Sequence, residues 1–192
     1  MALVMGIDLG TSSTKTVLMN EAGRIVAAAS AGYPLLTPRA GWVEQNPSDW
    51  WQAVRDTIRQ VIHQLTTHHS PLIPHDIKGI SLSGQMNGAV CVDRAGVPLR
   101  PALLWLDQRS QRACDAANER AGDLLRERAL HVLNPINTLA KVLWLRENEP
   151  ECYADAHLML IPKDWVRFKL TGVFASDVSD ASVTAALDLY TR

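Results

Sequence analysis

The chain has 192 residues, 47% of them hydrophobic, and a formal net charge of -1. That is enough apolar material for a buried core in one or two domains, and the balanced charge excludes a global basic field for nucleic acid or an anionic membrane surface, so any phosphate site must be local. Cys91, Cys114 and Cys152 are odd in number and form no Cys-x-x-Cys pair, which argues against a disulfide framework or a zinc site. With no basic-then-apolar leader and no apolar run of about 18 residues, a reducing, cytoplasmic setting without membrane insertion is expected.

The first predicted elements are two strands, residues 4–9 and 15–19, joined by a tight polar turn at residues 10–13. Gly10 lets the backbone approach a ligand, and Thr11, Ser12 and Ser13 supply hydroxyls and N–H groups that suit phosphate oxygens. Asp8, ending the first strand, is placed to hold a hydrated Mg²⁺ that bridges phosphates, and Lys15 adds a positive charge beside them. Two other readings compete. One is an ordinary β-hairpin with a Gly-Thr-Ser turn. The other is an aspartic protease, whose catalytic aspartate sits in a similar Asp-x-Gly tetrapeptide; against it, Leu9 stands where Thr or Ser is usual and no second copy occurs.

A turn at residues 20–23 leads to a third strand over 24–33, making an antiparallel meander. After a loop marked by Pro34, Pro38 and Gly41, Asn46 as cap, Pro47 at the first helical position and Asp49 facing the dipole predict a helix to about residue 65. Its apolar positions Trp51, Val54, Ile58, Val61, Ile62 and Leu65 are expected to form one buried face. His68, His69 and His75 lack a carboxylate or cysteine at ligand spacing and are broken up by Pro71 and Pro74, so a solvated loop is expected rather than a metal site.

Strands are predicted at residues 77–83 and 89–92, with a turn at 84–88 that presents Gln85, Met86 and Asn87 from a strand end, where α/β folds place ligands. Pro98 and Pro101 frame an extended segment ending at Trp105, Leu106, Asp107, Gln108 and Arg109. The Trp105 indole offers a flat wall for the C–H face of a sugar, while Asp107 and Arg109 can bond hydroxyls or hold the loop. Alternatively, Asp107 caps a helix over residues 108–129. A loop at 134–137, a helix over 138–148, a strand at 158–161 and a helix from Pro162 ended by Gly172 follow. Residues 176–182 read as a polar capping segment.

Five ordered blocks carry a resemblance. Asp8, Leu9, Gly10 and Thr11 with Lys15 look like the first phosphate motif of the actin-like ATPase superfamily. The run from Trp42 to Pro47 followed by Trp50 and Trp51, then Gly84 to Gly88, Trp105 to Arg109, and Pro162 to Trp165 with Leu170, Thr171 and Gly172 fall in the order found in the FGGY carbohydrate kinases, among which the chain is most similar to the xylulokinases. Thr138, Lys141, Trp144 and Leu145 have the spacing of the family's first signature; Ile136, five before Lys141, and Asn87, where xylulokinases commonly carry His, depart from its pattern.

The resemblance implies an α/β fold of actin-like ATPase (ribonuclease H-like) type, a mixed sheet with an antiparallel three-strand meander flanked by helices. It implies a two-domain enzyme using ATP and Mg²⁺ to phosphorylate a ketopentose, D-xylulose to D-xylulose 5-phosphate. Kinases for ribulose, gluconate or glycerol are the alternatives within the family, and a non-catalytic sugar-binding module the alternative outside catalysis. By position, Asp8 would organise Mg²⁺ as the catalytic residue this chain supplies. Gly10, Thr11, Ser12, Ser13 and Lys15 would face the nucleotide phosphates, and Gln85, Met86, Asn87, Trp105 and Asp107 would line the sugar site. Residues 1–192 would be an incomplete N-terminal domain, inactive alone, with the base aspartate and the ATP-binding domain beyond Arg192. The expected partner is a small sugar, with neither nucleic acid nor membrane, and a homodimer is left open.

Overall fold

The computed structural model describes residues 2–67 and 74–191; His68 and His69 lie outside them. The described residues fall into two compact units, one drawn from Met1–Pro34 and Ser48–Gln85, the other from Leu35–Pro47 and Met86–Arg192.

In the first unit, β1 (Leu3–Leu9), β2 (Ser13–Asn20) and β3 (Ile25–Gly32) form the expected antiparallel meander. The short β4 (Glu44–Gln45) belongs to the other unit, and β5 (Ile77–Gly84) adds to β1 in parallel, giving the order β3-β2-β1-β5. Alternation fixes the two faces: Leu3, Met5, Ile7 and Leu9 of β1 and Thr14, Thr16 and Leu18 of β2 are buried, while Asp8 and Lys15 point the other way.

The buried face is covered by α1 (Pro47–Thr67), which begins where the Asn-Pro-Ser-Asp signal placed it. Its core row is Trp50, Ala53, Val54, Thr57, Val61 and Leu65. Trp50 therefore replaces the expected Trp51 at the head of the buried stripe, and Trp51, Ile58 and Ile62 are half-buried. The phase was hidden because a polar residue, Thr57, sits in the row: its hydroxyl shares a buried 2.8 Å hydrogen bond with that of Thr16. Gln64 then bonds both backbone groups of Ala28, closing one position of the β3 edge.

In the second unit β4 pairs with β7 (Ala102–Leu103), and β6 (Val90–Val92) with β8 (Leu158–Leu160), both antiparallel. An isolated bridge joins Ala89 to Leu103. The helix expected over 108–129 is shorter: α2 spans Gln111–Leu124 with Ser110 at its N-cap, departs from helical geometry at Ala121, and passes into a π-helical turn over Leu125–Ala129. Asp107 is not its cap. The rest follows as α3 (Thr138–Asn148), an unforeseen α4 (Pro150–Asp155), α5 (Pro162–Thr171) ended by Gly172 at φ 71°, and α6 (Val178–Val183). The polar 176–182 segment does hold a cap, Asp177, which accepts from the N–H groups of Ser179 and Asp180. Among the described residues no helix is long and apolar enough to cross a membrane.

Two lysines organise this unit from within. Lys163 lies 2.7 Å from Asp177, 2.9 Å from Asp164 and 3.1 Å from Asp180, tying α5 to α6. Burial pulls its pKa down, but the three carboxylates outweigh this and hold it above its ordinary value. Lys141 is fully buried, and its ammonium donates to the carbonyls of Pro135 and Ile136 at 2.7 and 2.8 Å, pinning the loop before α3. Among the described residues no carboxylate bonds it directly. Desolvation therefore dominates and lowers its pKa to about 7, against the attraction of Asp107 and Cys114 and with the repulsion of Arg109.

Two stability measurements test this packing. Gly96 has φ +76°, and a Cβ there would lie 2.0 Å from Phe168, whose ring stacks on Phe174. Gly96→Ala is expected to cost about 3 kcal/mol in urea unfolding, whereas Gly79→Ala, which meets nothing within 4 Å, is expected to be near neutral. For Lys141, the unfolded chain keeps the proton up to the ordinary value of 10.5 while the folded chain releases it near 7. Between those values the unfolded state binds more protons, so stability rises with pH. The stability difference between wild type and Lys141→Met should thus shift in favour of wild type between pH 7 and 10; a flat difference would contradict the assignment.

Candidate active site

The β1–β2 hairpin delivers its polar groups to one end of the sheet. Asp8 and Lys15 are direct register partners across it, and both are on the face away from α1. Ser83 of β5 is the partner of Asp8 on the other side, and Ser30 of β3 the partner of Lys15, so a polar row of Ser83, Asp8, Lys15 and Ser30 crosses the sheet. Opposite charges directly across a strand pair attract by roughly 0.2–1 kcal/mol. Here they also place an anionic and a cationic group side by side, beside the turn. An exposed carboxylate at a strand end suits a hydrated Mg²⁺, and an exposed ammonium suits a phosphate oxygen.

The turn itself is tightly held. Gly10 N–H donates to Ser13 O at 3.0 Å, and a Cβ on Gly10 would lie 3.0 Å from that same carbonyl, so a side chain there would crowd the turn and require it to shift by a few tenths of an ångström. Thr14 Oγ1 donates to the Asp8 carbonyl at 3.0 Å, fixing the backbone behind the carboxylate. Tyr33, just past β3, donates its N–H to Ser12 O at 3.3 Å and its phenol O–H to Gly10 O. Burial, and after it the Asp8 charge, push the Tyr33 phenol above its ordinary pKa, so it stays a donor. At the C-terminal end of β5, Gln85 N–H donates to Leu9 O at 2.7 Å, which brings Gln85 beside the start of the same turn.

The remaining predicted residues lie in the second unit. Asn87 is held at φ 60°, in the left-handed region that Asn tolerates better than most residues. It is 9% exposed, and its Oδ1 is buried with no hydrogen-bond partner among the described residues. An acceptor left this way costs on the order of 1–3 kcal/mol. Gly88 next to it is required: a Cβ would lie 2.7 Å from Pro162 Cγ. Thr138 Oγ1 donates to the Gly88 carbonyl at 3.2 Å, so three separate sequence blocks converge behind Asn87. The Ala89–Leu103 bridge sets Asn87, two residues before Ala89, and Trp105, two after Leu103, at the same end of the paired segments. Trp105 and Met86 are partly exposed, at 36% and 47%.

Of the roles expected for Asp107, the structure shows loop holding. It is fully buried, accepts from Val43 N–H at 2.7 Å and Arg109 N–H at 3.0 Å, and is gripped by the Arg109 guanidinium at 2.8–3.0 Å. Arg109 also lies 2.8 Å from Glu44, which pairs with Arg100, and Arg100 reaches Glu149 at 2.7 Å. The guanidinium stacks 3.7 Å from the Trp42 ring and 5.0 Å from that of Trp144, and the two indoles meet edge to face at 5.5 Å. Trp42, Glu44 and Tyr33 were not named as functional positions from sequence. The Trp-Val-Glu-Gln block carried the signal for the first two, whereas nothing local marks Tyr33.

The family model for the FGGY family of carbohydrate kinases, N-terminal domain, matches residues 3–192. A xylulose kinase of Bacillus subtilis is 41% identical over 189 residues, 98% of this chain and 37% of its own length. A solved structure described as a xyloylose kinase from Brucella ovis superposes with TM-score 0.87 at 36% identity, covering 97% of this chain and 37% of that one. Plasmodium falciparum glycerol kinase with ADP superposes with TM-score 0.92 at 26% identity, covering 100% of this chain and 38% of that one. The chain thus spans a little over a third of the length of the relatives it matches. It has their α/β, actin-like ATPase fold, and it belongs to the FGGY family of carbohydrate kinases.

Proposed function

We propose that this chain is the N-terminal, sugar-binding and phosphate-turn part of an ATP-dependent kinase that converts D-xylulose to D-xylulose 5-phosphate. The observation that carries this reading is 41% identity to a xylulose kinase along 98% of the chain, together with the Asp8–Lys15 register pair beside the turn. A module that only bound sugar would have no use for that pair.

In the reaction the γ-phosphoryl group of ATP passes to a sugar hydroxyl, ADP leaves, and the hydroxyl proton goes to a base. Catalysis of this kind rests on positioning and charge neutralisation. Mg²⁺, when bound, neutralises and orients the phosphate oxygens. Asp8 would hold it through water. The backbone of Gly10, Thr11, Ser12 and Ser13 would face the phosphates, with Lys15 countering their charge. Asn87 would accept a sugar hydroxyl at its unmatched Oδ1, Gln85 would offer a second amide, and Met86 and Trp105 would cover the C–H face, with Asp107 fixing the Trp105 loop from behind. The base and the adenosine pocket are assigned to polypeptide following Arg192, so the 192-residue chain alone is expected to lack turnover.

Two measurements on the complete kinase test the reading. Asp8→Asn is expected to lower turnover by about 10²-fold or more while leaving equilibrium sugar binding within about twofold; unchanged turnover would refute the Mg²⁺ role. In a substrate panel, D-xylulose should exceed ribulose, gluconate and glycerol in kcat/KM by at least about tenfold, a margin of about 1.4 kcal/mol. Another polyol leading by that margin would reassign the substrate.

A further inference from the structure

We propose that Tyr33 is a positioning residue for the phosphate-binding turn, setting the orientation of the Gly10–Thr11 peptide so that its N–H faces a bound polyphosphate. The inference rests on the reading of residues 10–13 as a phosphate turn. The hydrogen bonds that hold the turn include Gly10 N–H to Ser13 O, Tyr33 N–H to Ser12 O, and Tyr33 O–H to Gly10 O. Tyr33 supplies two of them.

The consequence follows from peptide geometry. The peptides of the described residues are trans, so the C=O of Gly10 and the N–H of Thr11 point in opposite directions within one rigid plane. A glycine-led turn is otherwise free to rotate that plane by half a turn, exchanging an N–H for a carbonyl oxygen on the side a ligand meets. For an anion the exchange is from attraction to repulsion. The Tyr33 phenol takes the Gly10 carbonyl as its acceptor and so opposes the rotation, while its backbone bond to Ser12 keeps the ring in register with the turn. Phenylalanine would pack as well but could not do this.

The experiment compares the complete kinase and its Tyr33→Phe variant, with magnesium tripolyphosphate as the phosphate probe and D-xylulose as the sugar probe. Phe keeps the ring and the backbone bond to Ser12, so the fold is retained. Binding is read from the Thr11 and Ser12 amide resonances for the phosphate probe and from tryptophan fluorescence for the sugar. The expected result is a saturable Thr11 shift in wild type, a Kd for the phosphate probe raised about fivefold in Tyr33→Phe, and sugar affinity the same in both. Equal phosphate affinity in the two proteins overturns the inference and leaves the phosphate turn standing. Parallel losses for phosphate and sugar also overturn it, since they mark a general structural role. A wild-type chain whose Thr11 and Ser12 amides do not respond overturns the phosphate-turn reading itself, and the inference with it.

Discussion

Arg109 is a guanidinium removed almost entirely from water, and the second unit is assembled around what that burial demands. Its side chain is 1% exposed and its partner Asp107 is 0% exposed. An ion of this size cannot stay charged in such a place without close countercharges and filled donors. Asp107 meets the demand on one edge through hydrogen bonds, Glu44 supplies a countercharge 2.8 Å from Nη1 without a hydrogen bond to it, and the Trp42 face lies below. Removing one member would strand the others, which is why such groups act as one piece. The segment before β4 is fastened to the loop before α2 by Asp107 to Val43, Gln108 to Gly41 and Leu104 to Val43. Trp105 projects from a loop whose two ends are thereby fixed.

A contrast in electrostatic logic separates this unit from the sheet. Asp8 and Lys15 lie exposed and adjacent on their strands, open to other charges. Lys141, Lys163, Asp107 and Arg109 are buried and already matched by carbonyls, carboxylates or rings. The three carboxylates of Asp164, Asp177 and Asp180 illustrate the distinction: they converge as a cation site would, but the Lys163 ammonium occupies that position. Polar residues of the same types thus serve two ends, and exposure separates them.

Much of this was legible in the sequence because the signals were local. The meander followed from alternation and two turns, the start of α1 from Asn46 and Pro47, and the end of α5 from Gly172. The failures share a cause. Trp50 was passed over for Trp51 because the pairing of Thr57 with Thr16 joins positions 41 residues apart. For Asp107 the sequence leaves loop holding and helix capping both open, because the partner that decides between them, Val43, is 64 residues earlier. Tyr33 looked like the end of a strand, since its acceptor Gly10 is 23 residues away. Asn87 is a candidate from sequence alone, but its positive φ and unmatched acceptor emerge only with the packing of Thr138 and Pro162 around Gly88.

The passage of residues 35–47 into the second unit sets an order on the folding of a nascent chain. That segment is synthesised between β3 and α1, yet its fastenings lie some sixty residues further on: Val43 waits for Asp107 and Glu44 for Arg100, which are 64 and 56 positions away. The sheet of the first unit likewise stays one strand short until β5 emerges. Until then the Glu44 carboxylate has neither Arg100 nor Arg109 beside it, and Trp42 has only the neighbouring Arg39 over its ring, so both remain open to water. Closing contacts at such separations carries an entropic cost that local helices do not bear. The segment bearing Trp42 and Glu44 therefore gains its buried partners only once Arg100 and Arg109 have been synthesised, and is open to association with other apolar surfaces until then.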